Sequence, residues 1–496
     1  MKLKHILIYS IIALITSMSS SCRKLEDINV NPNESSSTHP QFLLTGVQWQ
    51  AFNAFKGTSP LYALKMLVQT DGENSNQIYA WQRGDFDAYK QMRNASKMIE
   101  EAEKRNLTEY VALGKFFRAY YFYNLTMEFG DVPYSEAMKG ETDKNYTPKY
   151  DSQKDVFAGI IKELEEANTL LSKVESRIAG DIIYNGSASQ WRKMINAYRL
   201  KVLITLSKKE SDASLSPKTK FSQIANNEPL LTSGSDDGKL MYLDQIGNRY
   251  PEFNSSGYGS GMYVDSTFIK RLQDLNDPRL FVLFTRTPVA ARAGKAIDDF
   301  TAYEGGNPVR PYDEVNKKAT KGLVSKVADR FTKDPTNEPS ILMGYSEQQL
   351  ILAEAVVLGW ISGNAETYYN EAIKSSFKYY ETYAKGFGTY INETIANNYI
   401  AQADVKLSSV ASKDQKIERI LMQKYLRSFH QGSWSAYYDH LRTGYPSFAK
   451  ANPNHIAYRW MYPQSEYNSN GANVAAAIAS QYSGSDAITG KPWWLK

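Results

Sequence analysis

The chain has 496 residues, enough for two or three ordinary domains or for one large helical one. It carries 58 Lys and Arg against 53 Asp and Glu, a net charge of +5 with no basic cluster, which argues against nucleic acid as a partner. With 42% hydrophobic and 22% charged residues, the composition is globular and excludes a disordered or integral-membrane chain. Tyrosine is abundant, at 35 residues, and aromatic rings either fill cores or line surfaces that bind sugars and peptides.

The N-terminus has the pattern of a lipoprotein signal peptide. Positively charged residues precede a mostly apolar run from Ile6 to Met18, which is too short to cross a bilayer. Three serines then lead into Cys22, the single cysteine of the chain, which therefore cannot form an intrachain disulfide. We predict that residues 1–21 are a signal peptide and that Cys22 is lipidated. The alternative is an ordinary secreted protein with a chance cysteine.

Residues 22–40 are polar and rich in Asn, Pro and Ser, which is typical of a tether between a lipid anchor and a folded body. A helical body is predicted to follow. Apolar residues at three- and four-residue steps from Tyr110 to Leu125 predict a long helix, with Thr108 as N-cap and Gly130 as C-cap.

Similar stripes predict further helices over 156–171, 187–206, 346–360 and 369–380. Capping-box sequences begin at Ser187 and Ser346, and Gly363 separates the last two helices. That last pair spans about one tetratricopeptide length, about 34 residues, so we expect stacked helical hairpins.

Residues 208–343 differ from this pattern, because Gly, Asn, Pro, Ser and Tyr interrupt short apolar pieces. One short helix is predicted there, at 266–275. A long loop-rich insert in a helical chain is usually functional or disordered, and its aromatic content argues against disorder.

No catalytic, metal or cofactor pattern is found. The five histidines are scattered without metal-ligand spacing. Gly257–Gly261 is not a nucleophile elbow, because Tyr258 stands two residues before Ser260 where a glycine is required. Acidic clusters at 100–103 and 163–166 are interpreted as solvated helix faces. The sequence therefore predicts a binding protein that is not an enzyme and carries no cofactor.

Six strings, in order along the chain, resemble the SusD/RagB family and in particular its second SusD-like branch. They are Asp27–Asn33, Arg118–Tyr134, Leu352–Ala355, Leu441–Pro446, Arg459–Pro463 and Trp493–Trp494. The resemblance implies a mostly α fold over residues 41–496, in which tetratricopeptide-like hairpins pack against a loop-rich ligand-binding half. It also implies a lipid-anchored protein of the outer-membrane surface in Bacteroidetes-type bacteria. The implied partner is a SusC-like TonB-dependent transporter, and the implied ligand is an oligosaccharide or a peptide.

The matching strings also have simple structural interpretations. We predict that Arg442–Pro446 and Arg459–Pro463 are buried turns in which the arginine donates to carbonyl groups. Trp493 and Trp494 are predicted to fix the C-terminus to the body of the protein.

By order along the chain, the family's ligand site resembles residues 71–85 together with 250–312. Aromatic rings beside amides, carboxylates and guanidinium groups suit sugar binding. The resemblance implies these ligand-binding residues: Asp71, Asn74, Asn76, Tyr79, Trp81, Arg83, Arg249, Tyr258, Tyr303 and Asn307. For Trp81 two roles stay open, stacking on the ligand or packing beneath the loop.

The function hypothesis is capture of an oligosaccharide and its delivery to the transporter, with no bond made or broken. A peptide-binding member of the same scaffold is one alternative. The other is a surface glycoside hydrolase, which needs two carboxylates roughly 5–10 Å apart beside a sugar cleft.

Overall fold

The computed structural model describes residues 37–53, 57–258, 261–452 and 455–496. Cys22, the signal segment and most of the predicted tether lie outside these residues. Within the described ranges, no helix is both long enough and apolar enough to cross a membrane.

The first part of the chain builds a layer of antiparallel helices. Its helices are α1 (Pro40–Asn53), α2 (Ser59–Ala63), α3 (Asp87–Glu103), α4 (Thr108–Phe129), α5 (Gln153–Leu171) and α6 (Ala188–Thr205). Helix α4 packs against α3 on one side and α5 on the other, and α5 packs against α6. The predicted long helix is therefore confirmed as α4, the buried centre of this layer.

The ends of these helices partly follow the predicted signals. Gly130, with φ of 90°, ends α4 as predicted, whereas Leu107 and not Thr108 occupies its N-cap position. The Ser187 hydroxyl accepts a hydrogen bond from the backbone N–H of Gln190 at 3.3 Å and caps α6 as predicted.

The loop-rich segment holds more short helices than the one predicted. They are α7 (Pro217–Asn227), α8 (Ser266–Asp274), α9 (Arg279–Leu283), α10 (Pro288–Arg292), α11 (Tyr312–Thr320) and α12 (Arg330–Lys333). The predicted helix is α8. Most of the others extend over only one or two turns, too few for an apolar period to be visible in the sequence.

Two small antiparallel sheets connect this segment to the helical layers. Strand β1 (Leu67–Gln69) pairs with β3 (Met262–Val264), and β2 (Gly238–Leu240) pairs with β4 (Ser340–Met343). Each pair joins positions that lie about a hundred residues or more apart in the chain.

The C-terminal part returns to helical hairpins. Its helices are α13 (Tyr345–Leu358), α14 (Ala365–Tyr383), α15 (Glu393–Ala401), α16 (Lys413–Leu426), α17 (Ser435–Thr443), α18 (Gln464–Ser469) and α19 (Gly471–Tyr482). Helix α13 packs on both α14 and α16. The mostly α prediction is confirmed.

The predicted capping box at Ser346 is wrong. Helix α13 already begins at Tyr345, and the Ser346 hydroxyl donates instead to the carbonyl of Ala372 at 2.8 Å. The helix ends at Gly359, with φ of 73°, before the predicted break at Gly363. The buried serine therefore links α13 to α14, because its hydroxyl donates a hydrogen bond to a carbonyl of α14.

The arginines of the two strings, Arg442 and Arg459, are buried, but they do not contact carbonyl groups alone. Arg442 lies on α17 and donates to carboxylates, Glu354 at 2.5 Å and Asp439 at 2.9 Å. The carbonyl prediction is therefore wrong for Arg442, because a guanidinium this deeply buried needs opposite charge. Arg459 donates to Asp486 at 2.7 Å and to the carbonyl of Ala487 at 3.3 Å.

The C-terminal tryptophan pair fixes the chain end as predicted. Trp494 is fully buried, and its backbone N–H donates to the Gln153 side chain of α5 at 3.0 Å.

Not every side chain of the two acidic clusters is solvated as predicted. Glu101 and Glu163 are buried, the first paired with Lys104 at 3.0 Å and the second with Arg118 at 2.9 Å.

Candidate functional site

The two segments that the resemblance assigns to ligand binding lie side by side. The β1–β3 pairing places Gln69 opposite Met262. The backbone N–H of Thr70 then donates to the carbonyl of Gly261 at 2.8 Å, and the Gln77 side chain donates to the carbonyl of Pro308 at 3.0 Å. The loop after β1 is therefore tied at both ends to the loop-rich half.

Asp71 is exposed beside this junction. Its carboxylate accepts a hydrogen bond from the Gln69 side chain. A Cβ at Gly261, where φ is 36°, would lie 2.3 Å from the same carboxylate, so a larger residue would strain the backbone and displace the Asp71 side chain. The carboxylate keeps free acceptor positions toward solvent.

Three amide side chains, those of Asn74, Asn76 and Asn307, accompany Asp71 on the two loops, and hydrogen bonds fix two of them. The Asn74 carbonyl oxygen accepts from the backbone N–H groups of Asn76 and Gln77, at 3.0 and 3.1 Å, and so closes an Asx turn. On the other loop, the Asn307 side chain accepts from the N–H of Val309 at 3.0 Å. In both cases the amide nitrogen is left to donate to a ligand.

We name the set Asp71, Asn74, Asn76, Tyr263 and Asn307 the Asp71 surface. Tyr263 belongs to β3 and is half-buried, with the Lys326 ammonium 4.9 Å from its ring centre. This ring lies within the predicted ligand segment 250–312, and the pairing of β3 with β1 places it beside the first loop.

Tyr79 and Trp81 lie beneath the loop, whereas Arg83 is exposed. Trp81 is 4% exposed, its ring stacks on Trp460 with centres 4.9 Å apart, and its indole N–H donates to the carbonyl of Arg459 at 3.0 Å. Tyr79 is 2% exposed, and Arg83 donates to the carbonyl of Tyr462 at 2.6 Å. These contacts fit the second of the two roles predicted for Trp81, packing beneath the loop.

The remaining predicted residues are not brought to the Asp71 surface. Arg249 pairs with Asp244 at 2.7 Å, within its own loop. Tyr258 and Tyr303 are buried; the Tyr258 hydroxyl bonds His430 at 3.0 Å, and that of Tyr303 donates to a backbone carbonyl at 2.7 Å. A loop-rich segment with little regular structure uses such large rings for its core.

Two buried titratable side chains, Asp265 and Lys65, lie under the β1–β3 junction. Asp265 accepts from the N–H and hydroxyl of Thr267 at 2.6 and 2.7 Å, and Lys65 has its ammonium 4.2 Å from the ring centre of Tyr79. Burial raises the pKa of Asp265 from its ordinary value of 3.8 to about 7, although the Thr267 hydrogen bonds and Lys65 oppose this shift. Burial likewise lowers the pKa of Lys65.

We expect stability to depend on pH through Asp265. The folded protein retains this proton up to about pH 7 whereas the unfolded chain releases it near pH 4, so the free energy of unfolding falls as pH rises through this window. In Asp265→Asn, the fall in the free energy of unfolding between pH 4.5 and 7.5 should be smaller than in the parent protein by on the order of 2 kcal/mol. Urea denaturation at pH 4.5 and 7.5 measures it, with Asp143→Asn on an exposed turn as control. Equal pH slopes in Asp265→Asn and the parent protein would contradict the assignment.

Among the described residues, no group of His, Cys, Asp and Glu side chains could hold a metal ion. The Asp71 surface can therefore be described as a set of hydrogen-bonding groups beside an aromatic ring, which suits polar, hydroxyl-rich ligands.

Comparison with known proteins places the chain in a family. Residues 32–463 match the SusD-like family described as starch-binding and associating with the outer membrane. A search of the curated proteins finds no match.

Two solved structures of Bacteroides proteins share both fold and sequence with the chain. An outer membrane protein from Bacteroides vulgatus, whose description connects it with nutrient binding, is 52% identical with a TM-score of 0.90, and the match covers 92% of this chain and 100% of that one. A SusD homologue from Bacteroides fragilis is 50% identical with a TM-score of 0.89, over 93% and 100% of the two chains. A chitin-binding protein at 22% identity and a TM-score of 0.75 shares the fold over 92% of this chain and 100% of that one. The chain belongs to the SusD-like family of outer-membrane nutrient-binding proteins.

Proposed function

We propose that this protein captures oligosaccharides at the cell surface and delivers them to a SusC-like TonB-dependent transporter. The Asp71 surface carries the proposal, because it presents a carboxylate and amides from two loops that strand pairing holds together. Sugar hydroxyls donate to such carboxylates and accept from such amides, while the apolar face of a sugar stacks on a ring such as Tyr263. The family description as starch-binding supports a glycan over a peptide.

Binding to maltohexaose tests the proposal first, followed by arrays of glycans and peptides. For the glycan that binds, Asp71→Asn and Asn307→Ala should each weaken affinity about 5–20-fold, since each removes one or two hydrogen bonds to the ligand. Both residues are exposed, so melting temperatures should stay near that of the parent protein, and Asp143→Asn should change neither quantity. Binding that is confined to peptides would favour the alternative ligand class. Glycan binding that both variants retain would place the site elsewhere.

The glycan that binds also tests whether the protein hydrolyses its ligand. We expect no product after prolonged incubation, because the proposed mechanism is capture and release. A product whose formation is lost in Asp71→Asn or in Glu73→Gln, the neighbouring exposed carboxylate, would instead identify a glycoside hydrolase.

Lipidation of Cys22 is proposed to hold the protein on the outer membrane, with residues 22–40 as the tether to the binding domain of residues 41–496. We expect Cys22→Ala to move the protein from the membrane fraction into the soluble fraction, because stable anchoring needs acyl chains that this thiol alone can carry. Detergent-phase partition measures the change, with Ser21→Ala as control. Unchanged partition of Cys22→Ala would refute the anchor.

The partner is tested in detergent-solubilised outer membranes of the native host. Affinity purification of the acylated protein should bring down a TonB-dependent transporter in near-stoichiometric amount. Purification of the protein without such a partner would contradict the delivery step while leaving capture intact.

A further inference from the structure

One cavity of the protein is lined by none of the residues of the Asp71 surface. It has a volume of about 250 Å³ and lies between α3, α4, α6 and the start of α17. Exposed Asp85 and Asp87 stand at its edge, so it opens to solvent there. Its volume suits one compact group, such as a single sugar ring or one long side chain.

The walls of this cavity are mainly aromatic. One turn of α4, one turn of α6 and the start of α17 contribute its rings: Tyr120, Tyr121, Tyr123, Tyr198, Trp434 and Tyr438. Tyr121 is 2% exposed, and its hydroxyl has no hydrogen-bond partner within the described ranges. A buried hydroxyl without a partner costs free energy in the empty protein and points to a ligand that supplies one.

Most of the titratable groups that line the cavity, other than tyrosine hydroxyls, are carboxyl groups. Glu128 lies on its α4 wall, and neither a hydrogen bond nor an ion pair joins its carboxyl to another side chain of the described part of the chain. Lys201 also lines the cavity, but its ammonium pairs with Glu347 at 3.1 Å and is already neutralised. Asp85 adds a further carboxylate at the opening. An anionic ligand is therefore disfavoured.

We propose that this cavity binds a protonated primary amine carried on a compact body. Such a group pairs with Glu128, donates to the Tyr121 hydroxyl and lies against the faces of the rings, which attract cations. A neutral sugar uses the rings but meets the carboxyl of Glu128 only through neutral hydrogen bonds, which are weaker than an ion pair. The amine can come from an amino sugar or from a lysine side chain. This inference does not rest on the oligosaccharide site proposed above.

Binding of an amine should also release a proton. Burial, together with the neighbouring Asp85, raises the pKa of Glu128 to about 8, so its carboxyl is protonated at pH 7 when the cavity is empty. An ammonium group favours the carboxylate, and the proton then passes to the buffer. The other titratable groups that line the cavity are Asp85, Asp87, Lys201 and the tyrosine hydroxyls.

Titration calorimetry on the full chain tests the proposal with matched probes. D-glucosamine, N-acetyl-D-glucosamine and D-glucose share one ring and differ in the amine, and Nα-acetyllysine methyl ester carries the amine on a chain. We expect glucosamine or the lysine derivative to bind at least ~10-fold more tightly than the two neutral sugars. Which of these two amines binds more tightly distinguishes the sources. The heat of binding should change with the ionisation enthalpy of the buffer at pH 7.

Two variants assign the effect to the cavity. Glu128→Gln should weaken amine binding ~10-fold or more and abolish the dependence on buffer, whereas Tyr121→Phe should weaken it several-fold with a melting temperature near that of the parent. Glu103→Gln and Tyr312→Phe, both at exposed positions, are the matched controls and should bind as the parent does. Equal affinity for glucose and glucosamine, no amine binding at 50 mM (about the weakest useful affinity), or amine binding unchanged in both cavity variants would each overturn the proposal.

Discussion

Replacing Trp81 by alanine is expected to lower the free energy of unfolding by about 3–5 kcal/mol, the usual cost of removing a buried tryptophan. The ring is 4% exposed and is covered by Trp460, while Trp434 meets it edge-on with centres 5.5 Å apart. The variant also leaves the carbonyl of Arg459 without its indole donor. These contacts join the loop after β1 to the C-terminal part of the chain.

Chemical denaturation of Trp81→Ala measures the loss, and affinity for the identified glycan is measured on the same sample. Tyr146→Ala, at an aromatic side chain 71% exposed, is the control and should cost less than about 0.5 kcal/mol. We expect the folded fraction of Trp81→Ala to bind glycan within a few-fold of the parent. A variant of normal stability that has lost its affinity would instead assign the ring to the ligand site.

The long helices could be predicted because burial on one face imposes a period on the sequence. Tyr110 to Leu125 follow such a period, and α4 forms there. The ends of the helices were harder to predict. Thr108 and Ser346 have the residue types of N-caps, yet each lies inside its helix. Residue type alone does not say where a helix begins, because neighbouring helices also compete for these hydroxyls.

The exposure of some candidate site residues was predictable for a similar reason. Asp71 and Asn307 are polar residues of loops, and such side chains stay exposed unless they are paired. Both are exposed in the structure. Tyrosine gives no such guide, because its ring favours burial while its hydroxyl can bond to the protein itself. Tyr258 and Tyr303 are buried in this way, whereas Tyr263 in the same segment is half-buried. The choice depends on strand pairing between distant segments, which leaves no local signal.

A buried ion pair joins the loop-rich segment to the C-terminal helices. Asp277 and Arg279, at the start of α9, are fully buried, and the guanidinium donates to the aspartate at 2.5 Å. The guanidinium also donates to Gln423 of α16 at 2.7 Å and lies over the ring of Phe377 on α14, 5.4 Å from its centre. One arginine therefore contacts three separate parts of the fold.

We expect Asp277→Ala to lower the free energy of unfolding by about 3–5 kcal/mol, because it leaves the Arg279 charge buried with only neutral partners. The double variant Asp277→Leu with Arg279→Met should lose less than the single variant, since it removes both buried charges and keeps apolar volume. Asp313→Ala breaks an exposed pair with Lys317 of 3.0 Å and is the matched control, expected to cost less than about 1 kcal/mol. Urea denaturation of the three variants gives the comparison. If Asp277→Ala lowers the free energy of unfolding no more than Asp313→Ala does, the ion pair does not hold the loop-rich segment to the C-terminal helices. The contacts of α9 with α14 and α16 would then depend on apolar packing alone.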